Sequence, residues 1–334
     1  MTAQNNLTVE SPAFSLLTPD CVINALNNVG FRSDGRLLAL NSYENRVYQV
    51  GMENGPSLVA KFYRSGRWED SAILEEHAFV QELVEREIPV IAALTLGGHT
   101  LHTFEGFRFA VFPKNGGRAP ELEDKETLEW MGRFIGRIHA IGALKPFECR
   151  FELNVERFGV NSLQFLMENN FVHADLCDTY CGVVEQALVC VRHCFERAGK
   201  DIKRLRLHGD CHAGNVLWTD NGPHFVDFDD SCMGPAIQDL WMLLSGERAD
   251  MTRQLSDILN GYDKFYHFDL CELHLIEALR TLRLINYSAW LAKRWDDPAF
   301  KWAFPWFGTQ HYWQDRILEL REQISLMNEA PLCL

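Results

Sequence analysis

The chain has 334 residues, 47% of them hydrophobic, enough to bury a sizeable core as one large domain or two lobes. Its 32 Lys and Arg stand against 46 Asp and Glu, a net charge of −14 that repels phosphate backbones and anionic lipid, so no nucleic acid and no membrane partner is expected. Residues 1–17 carry neither a basic segment nor an apolar one, and no apolar run approaches the roughly 18 residues of a spanning helix, so a cytoplasmic protein is expected.

Residues 46–51 (RVYQVG) and 58–64 (LVAKFYR) are β-branched and aromatic runs separated by the turn-rich MENGPS, which predicts a hairpin. Between 70 and 87, Ile73, His77, Val80 and Val84 recur at helical spacing until Ile88-Pro89 ends the pattern, which predicts an amphipathic helix. A second hairpin alternates around Glu105-Gly106 over 99–112, and PKNGGR (113–118) follows as a connector. The first third therefore reads as strands with one helix, with a lobe boundary at the connector.

Beyond it the periodicity is helical. Leu128, Met131, Phe134, Ile135 and Ile138 mark one helix, and Leu275, Leu279, Leu282, Ile285 and Ala289 mark another. Between them, 204–218 and 223–230 are short apolar pieces that end in polar clusters and read as hairpin-like loops dense in carboxylates. The ten cysteines are expected as reduced thiols. Cys177 and Cys181, like Cys190 and Cys194, are four apart and would stack on a helix face, with His173 or His193 as a conceivable further zinc ligand. Without C-x2-C knuckles, burial as small hydrophobes is the favoured reading. Five tryptophans (290, 295, 302, 306 and 313) gather near the C-terminus, where packing of terminal helices is favoured over a groove.

The sharpest feature is His208-Gly209-Asp210-Cys211-His212-Ala213-Gly214-Asn215, followed by Asp227 in Phe225-Val226-Asp227-Phe228-Asp229. Phosphoryl transfer needs an acceptor hydroxyl aimed at the γ-phosphorus and divalent cations on the phosphate oxygens. Asp210 can orient the hydroxyl and accept its proton. Mg²⁺ takes hard oxygen ligands and few carboxylates, a set that Asn215 and Asp227 would supply.

These motifs resemble the protein-kinase-like superfamily, in its aminoglycoside phosphotransferase and choline kinase branch. The loop H-x-D-x-x-x-x-N is matched by His208, Asp210 and Asn215. Upstream, Lys61 in Val59-Ala60-Lys61 is similar to the strand-three lysine, and Glu76 in EEHAFVQEL to the glutamate that pairs with it, with Glu75 as fallback. Asp239 in GPAIQDL resembles the aspartate that braces the catalytic loop. The segments NSYENRVYQ, VAKFYR, RLHGDCHAGN and FVDFDD more narrowly resemble a bacterial Ser/Thr protein kinase of that branch.

The resemblance implies an α+β, two-lobed protein-kinase-like fold with a small antiparallel β lobe and a larger, mainly helical lobe. The divisions are an N-terminal segment over 1–30 packing on the small lobe, an ATP-binding lobe over 31–117, and a catalytic and substrate lobe over 118–334. It also implies ATP as co-substrate, Mg²⁺ as cofactor, and protein substrates with Ser/Thr acceptors in a stress response, with autophosphorylation. Asp210 would be the catalytic base, Asn215 and Asp227 the metal ligands, and Lys61 the ligand of the α- and β-phosphates held by Glu76. Backbone near Phe112 to Lys114 would take the adenine edge. The loop from Leu40 to Arg46 has no glycine, so Ser42 and neighbouring N–H groups would face the phosphates instead. Only eleven residues lie between Asp227 and Asp239, too few for an activation segment with its own phosphosite.

Single residues have plainer readings. His208 is expected to brace the loop rather than carry protons, and Arg280 and Arg283, one turn apart, to pair with surface carboxylates unless they grip an acidic acceptor. Three alternatives stay open. His208, Asp210 and His212 with Asp227 could hold zinc or iron in a hydrolase; the chain could bind ATP without catalysis; or Asp229, Asp230 and Glu247 could receive a cationic small-molecule alcohol such as choline or an aminoglycoside.

Overall fold

The computed structural model describes residues 14–334, so residues 1–13 of the expected N-terminal segment lie outside the described residues. The chain divides into two compact units. One comprises the chain up to Ile73 with Ala93–Lys114 and the returning segment Arg294–Pro305; the other comprises Leu74–Ala92, Asn115–Lys293 and Trp306–Leu334.

In the first unit, α1 (Pro19–Asn28) begins because Thr18 is extended, accepts the Cys21 N–H on its hydroxyl and is followed by proline at the first helical position. This helix corrects the reading of a single helix in the first third; its only local signal is Thr18-Pro19-Asp20. The strands β1 (Ser33–Ala39), β2 (Arg46–Met52), β3 (Leu58–Phe62), β4 (His102–Phe104) and β5 (Phe107–Pro113) form one antiparallel sheet in the order β1-β2-β3-β5-β4. Glu105 and Gly106, both at positive φ, make the two-residue turn of the β4–β5 hairpin. Val22, Ala25 and Leu26 of α1 share a core with Val50, Phe62, Phe109 and Val111 of the sheet.

The helix α2 (Asp70–Glu85) starts in the first unit and runs mostly in the second. Ile73, His77 and Val80 are buried, but so are Ala72, Glu76, Phe79 and Leu83, while Val84 is exposed. The helix buries a broad face centred near Glu76 and Phe79, and Val84 falls on its rim.

The second unit contains α3 (Lys125–Gly142), α4 (Asn161–Glu168), α5 (Cys177–Ala198), β6 (Leu205–Arg206), β7 (Val216–Thr219), β8 (Gly222–Phe225), β9 (Met233–Gly234), α6 (Ile237–Trp241), α7 (Arg248–Tyr262) and α8 (Ile276–Ala292). Further along the chain, α9 (Pro298–Ala303) lies in the returning segment of the first unit, and α10 (Gln310–Met327) belongs to the second unit. Asp124 caps α3, accepting from the Thr127 N–H and hydroxyl, both at 2.8 Å. The α3–α7 contact is close because glycines meet backbone: a methyl at Gly132 would run into the Ile258 carbonyl, and one at Gly261 into that of Glu129. Leu128, Met131, Ile135 and Ile138 fill the core from α3, and Leu279, Leu282, Ile285 and Ala289 from α8.

All ten cysteines are unbridged. Burial pushes the Cys194, Cys211 and Cys232 thiols up, as expected of small core residues. Among the described residues no group of three or more His, Cys, Asp and Glu is placed to hold a metal, and no helix is long and apolar enough to cross a membrane. Trp313 is buried against Tyr180, as the packing reading expects, whereas Trp302 is 86% exposed.

Candidate active site

The loop after β6 is shaped by one glycine and held by one aspartate. Gly209 sits at φ 87°, and a Cβ there would collide with the Asp230 carbonyl, so no side chain fits. Asp239, buried on α6, accepts the His208 N–H at 2.8 Å and the Gly209 N–H at 2.9 Å on its two oxygens. It is oriented from behind by His139, whose Nε2 lies 3.0 Å away and whose Nδ1 lies 2.7 Å from the Tyr262 hydroxyl. Gln238 adds a bond to the Gly209 carbonyl at 3.0 Å.

His208 closes the loop from inside. Its Nε2 donates to the Val226 carbonyl at 2.9 Å, its Nδ1 accepts the Asp210 N–H at 3.3 Å, and its ring packs 4.4 Å from Phe228. With both nitrogens committed, His208 braces backbone and offers no lone pair to a transition metal, and among the described residues no group of three or more His, Cys, Asp and Glu is placed to hold one, which disfavours the hydrolase alternative.

The β7–β8 hairpin brings Asn215 and Asp227 to its open end, where Val216 pairs with Phe225 and the Val226 N–H reaches the Asn215 carbonyl at 3.0 Å. Asn215 donates from Nδ2 to the Asp210 carbonyl at 2.9 Å, leaving its amide oxygen for a cation. Asp227 is exposed and lies in the left-handed region, φ 61° and ψ 62°, a costly conformation for a residue with a side chain. An amide oxygen and a carboxylate on adjoining loops are the hard donors that Mg²⁺ takes while keeping waters, so the residues present fit that ion. Asp229, by contrast, is buried.

Asp210 is half-buried between two donors. Arg283 of α8 places Nη1 2.7 Å from Oδ1, and His212 places Nε2 3.5 Å from Oδ2. Burial raises the pKa of Asp210, but the hydrogen bond from His212 and the charge of Arg283 outweigh it and hold the carboxyl well below the usual range. Asp210 is thus ionised at neutral pH.

Glu75 and Glu76 part company on α2. Glu75 accepts the consecutive N–H groups of Glu148, Cys149 and Arg150 at 2.6, 2.9 and 3.1 Å. Glu76 is buried, with the Arg150 guanidinium 3.4 Å from Oε2. In the first unit, Lys61 lies buried on β3 opposite Val47 and Ala110, its ammonium 5.4 Å from the Tyr63 ring centre. The loop bearing Ser42 is pinned by the returning segment. Glu44 meets Arg294 at 2.5 Å and Arg64 at 3.3 Å, Asp297 meets Arg64 at 2.8 Å and Arg46 at 3.4 Å, and Tyr43 packs on Phe304. Sequence reasoning missed these clamps, because Arg64 and Asp297 are 233 residues apart and no local pattern marks them.

The model of the phosphotransferase enzyme family matches residues 36–276. The chain belongs to this family. Across nearly its whole length it is similar to stress response kinase A of Salmonella choleraesuis (strain SC-B67), with 42% identity over 319 residues and 96% of each chain covered. The same figures hold for the serine/threonine protein kinase RdoA of Salmonella typhimurium (strain LT2). Among solved structures, the amicoumacin kinase hAmiN in complex with AMP-PNP, Ca²⁺ and Ami is 19% identical, covers 90% of either chain and superposes with a TM-score of 0.69. The fold is the kinase-like fold of the family, and the protein is a phosphotransferase.

Proposed function

We propose that the protein transfers the γ-phosphate of ATP to Ser and Thr hydroxyls of proteins, itself included, as a Mg²⁺-dependent cytoplasmic kinase of a stress response. The observation that carries the reading is the loop in which an ionised Asp210 is fixed beside Asn215 and Asp227 by Asp239 and His208. Asp210 orients the acceptor hydroxyl and takes its proton as the oxygen attacks the γ-phosphorus and the bond to the departing ADP oxygen breaks. Asn215 and Asp227 are the residues that would hold Mg²⁺, which when bound neutralises charge on the phosphate oxygens. The reading assigns Lys61 and the loop of Ser42 to the nucleotide phosphates, and Glu76 keeps the part that the resemblance gives it. Similarity over 96% of the chain to relatives named as stress response and Ser/Thr kinases supports a protein acceptor.

The test is incubation of the full chain with γ-labelled ATP and Mg²⁺, beside generic protein substrates and a panel of small alcohols. Acid-stable label on Ser or Thr peptides, missing from Asp210→Ala, is expected. Turnover of a small alcohol with no labelled protein would overturn the protein-kinase reading and leave the phosphotransferase standing.

A further inference from the structure

The two arginines on α8 have different partners. Arg280 is satisfied locally, 3.0 Å from Glu277 and with its guanidinium 5.4 Å from the Trp241 ring centre. Arg283 instead reaches Asp210, although its own side chain remains 47% exposed. His212 stands on the other carboxylate oxygen: its Nδ1 accepts the Gly214 N–H at 2.9 Å, so the hydrogen is on the Nε2 that faces Asp210, and its side chain is 40% exposed. The accessible rim of Asp210 therefore presents hydrogen-bond donors, one permanently cationic, in a chain whose net charge is −14. Of the three carboxylates that a cationic acceptor could use, Asp229 is buried, whereas Asp230 is half-buried and Glu247 exposed.

We propose that Arg283 makes the acceptor site selective for hydroxyls with a neighbouring anion, such as a Ser or Thr flanked by acidic or phosphorylated residues. The proposal rests on the reading of Asp210 as the group that receives the acceptor hydroxyl. With its side chain 47% exposed, the Arg283 guanidinium remains accessible to an acceptor's own carboxylate or phosphate while it pairs with Asp210. A planar guanidinium suits both oxyanions through paired N–H donors. An acceptor bearing a positive charge next to its hydroxyl meets the same guanidinium as repulsion.

The test uses the full chain, ATP, Mg²⁺ and two Ser peptides that differ only in having Asp and Glu, or Asn and Gln, beside the serine. The wild type should favour the acidic peptide by about 10- to 100-fold in kcat/KM, the range of one charge-assisted hydrogen bond. Arg283→Ala should bring that ratio close to one, and Arg283→Lys should keep part of it. An unchanged ratio in Arg283→Ala overturns the proposal. So does a change confined to the KM for ATP, which would make Arg283 a ligand of the nucleotide. If neither peptide is labelled but small alcohols are, the protein-acceptor reading fails separately. The same ratio measured with glycerate over glycerol then decides the role of Arg283.

Discussion

Arg150 links Glu76 to the segment that follows Asp227: its guanidinium lies 3.4 Å from the Glu76 carboxylate and donates to the carbonyls of Asp229 at 3.1 Å and Ser231 at 2.7 Å. The side chain is fully buried, and its backbone N–H is held by Glu75. In kinases the lysine-pairing glutamate and the metal-binding aspartate must both be in place for transfer, and their alignment is commonly a point of control. Here one guanidinium ties the helix carrying Glu76 to the loop that follows Asp227. With so short a stretch between Asp227 and Asp239, the arrangement favours a kinase that is assembled on folding.

Arg150→Met should therefore cost about 3–5 kcal/mol of stability, because it removes a buried guanidinium from the Glu76 carboxylate and from the carbonyls of Asp229 and Ser231. Arg150→Lys should cost less, keeping the charge but not the fork. Urea unfolding of both variants measures this. Wild-type stability in Arg150→Met would mean that water or another group replaces the guanidinium.

Asp210→Ala should lower phosphoryl transfer by about 10²- to 10⁴-fold, the usual contribution of a positioned general base, while ATP affinity changes little. The fold should survive, since the loop is held by Asp239 and His208 through backbone groups that the substitution leaves alone. Single-turnover kinetics and nucleotide titration separate the two effects. Near-normal turnover would refute Asp210 as base.

The legible part of the molecule is the part written in local spacing. The hairpins around MENGPS and Glu105-Gly106, the helices over 70–85 and 125–142, and the loop from His208 to Asn215 follow from periodicity, turn residues and a fixed motif. What escaped is set by topology. Arg150 reads as an ordinary arginine in FECRFE, and only the packing of residues 74 to 81 positions away gives it Glu76, Asp229 and Ser231. The plain reading of the α8 arginines held for Arg280 and failed for Arg283, because its carboxylate partner is Asp210 itself. The α1 helix escaped for another reason, since ten residues with one cap carry too little pattern to outweigh the strands around them.

Asp227→Asn should weaken Mg²⁺-dependent ATP binding more than Asp229→Asn does. Asp227 is exposed at the open end of the β7–β8 hairpin beside Asn215, where on the proposed reading the substitution would take the charge from a metal ligand, while Asp229 is buried and would act only by orienting the loop. Mg²⁺ titrations at fixed ATP discriminate between them. Equal midpoints would transfer the metal role away from Asp227.

Glu272 should make stability fall as pH rises, and Glu272→Gln should abolish that component. The carboxyl is buried and accepts the Ile237 N–H at 2.8 Å, at the start of the α6 helix that carries Asp239. Burial is the main cause that pushes its pKa up from 4.5 to about 7; the Asp269 charge adds to it, and the Ile237 hydrogen bond works against it. Because the folded-state value is the higher one, the folded protein binds the proton more tightly than the unfolded chain. The contribution is fully present below the unfolded pKa near 4.5 and is lost as pH rises through about 7. A shift of this size corresponds to about 3 kcal/mol across the window. The glutamine keeps an oxygen for the Ile237 N–H but has no charge to bury. Urea unfolding at pH 4.5 and pH 8 should therefore show the wild type losing about 3 kcal/mol relative to Glu272→Gln over that interval. A stability difference between the two proteins that stays constant with pH would show that Glu272 remains ionised in its buried site.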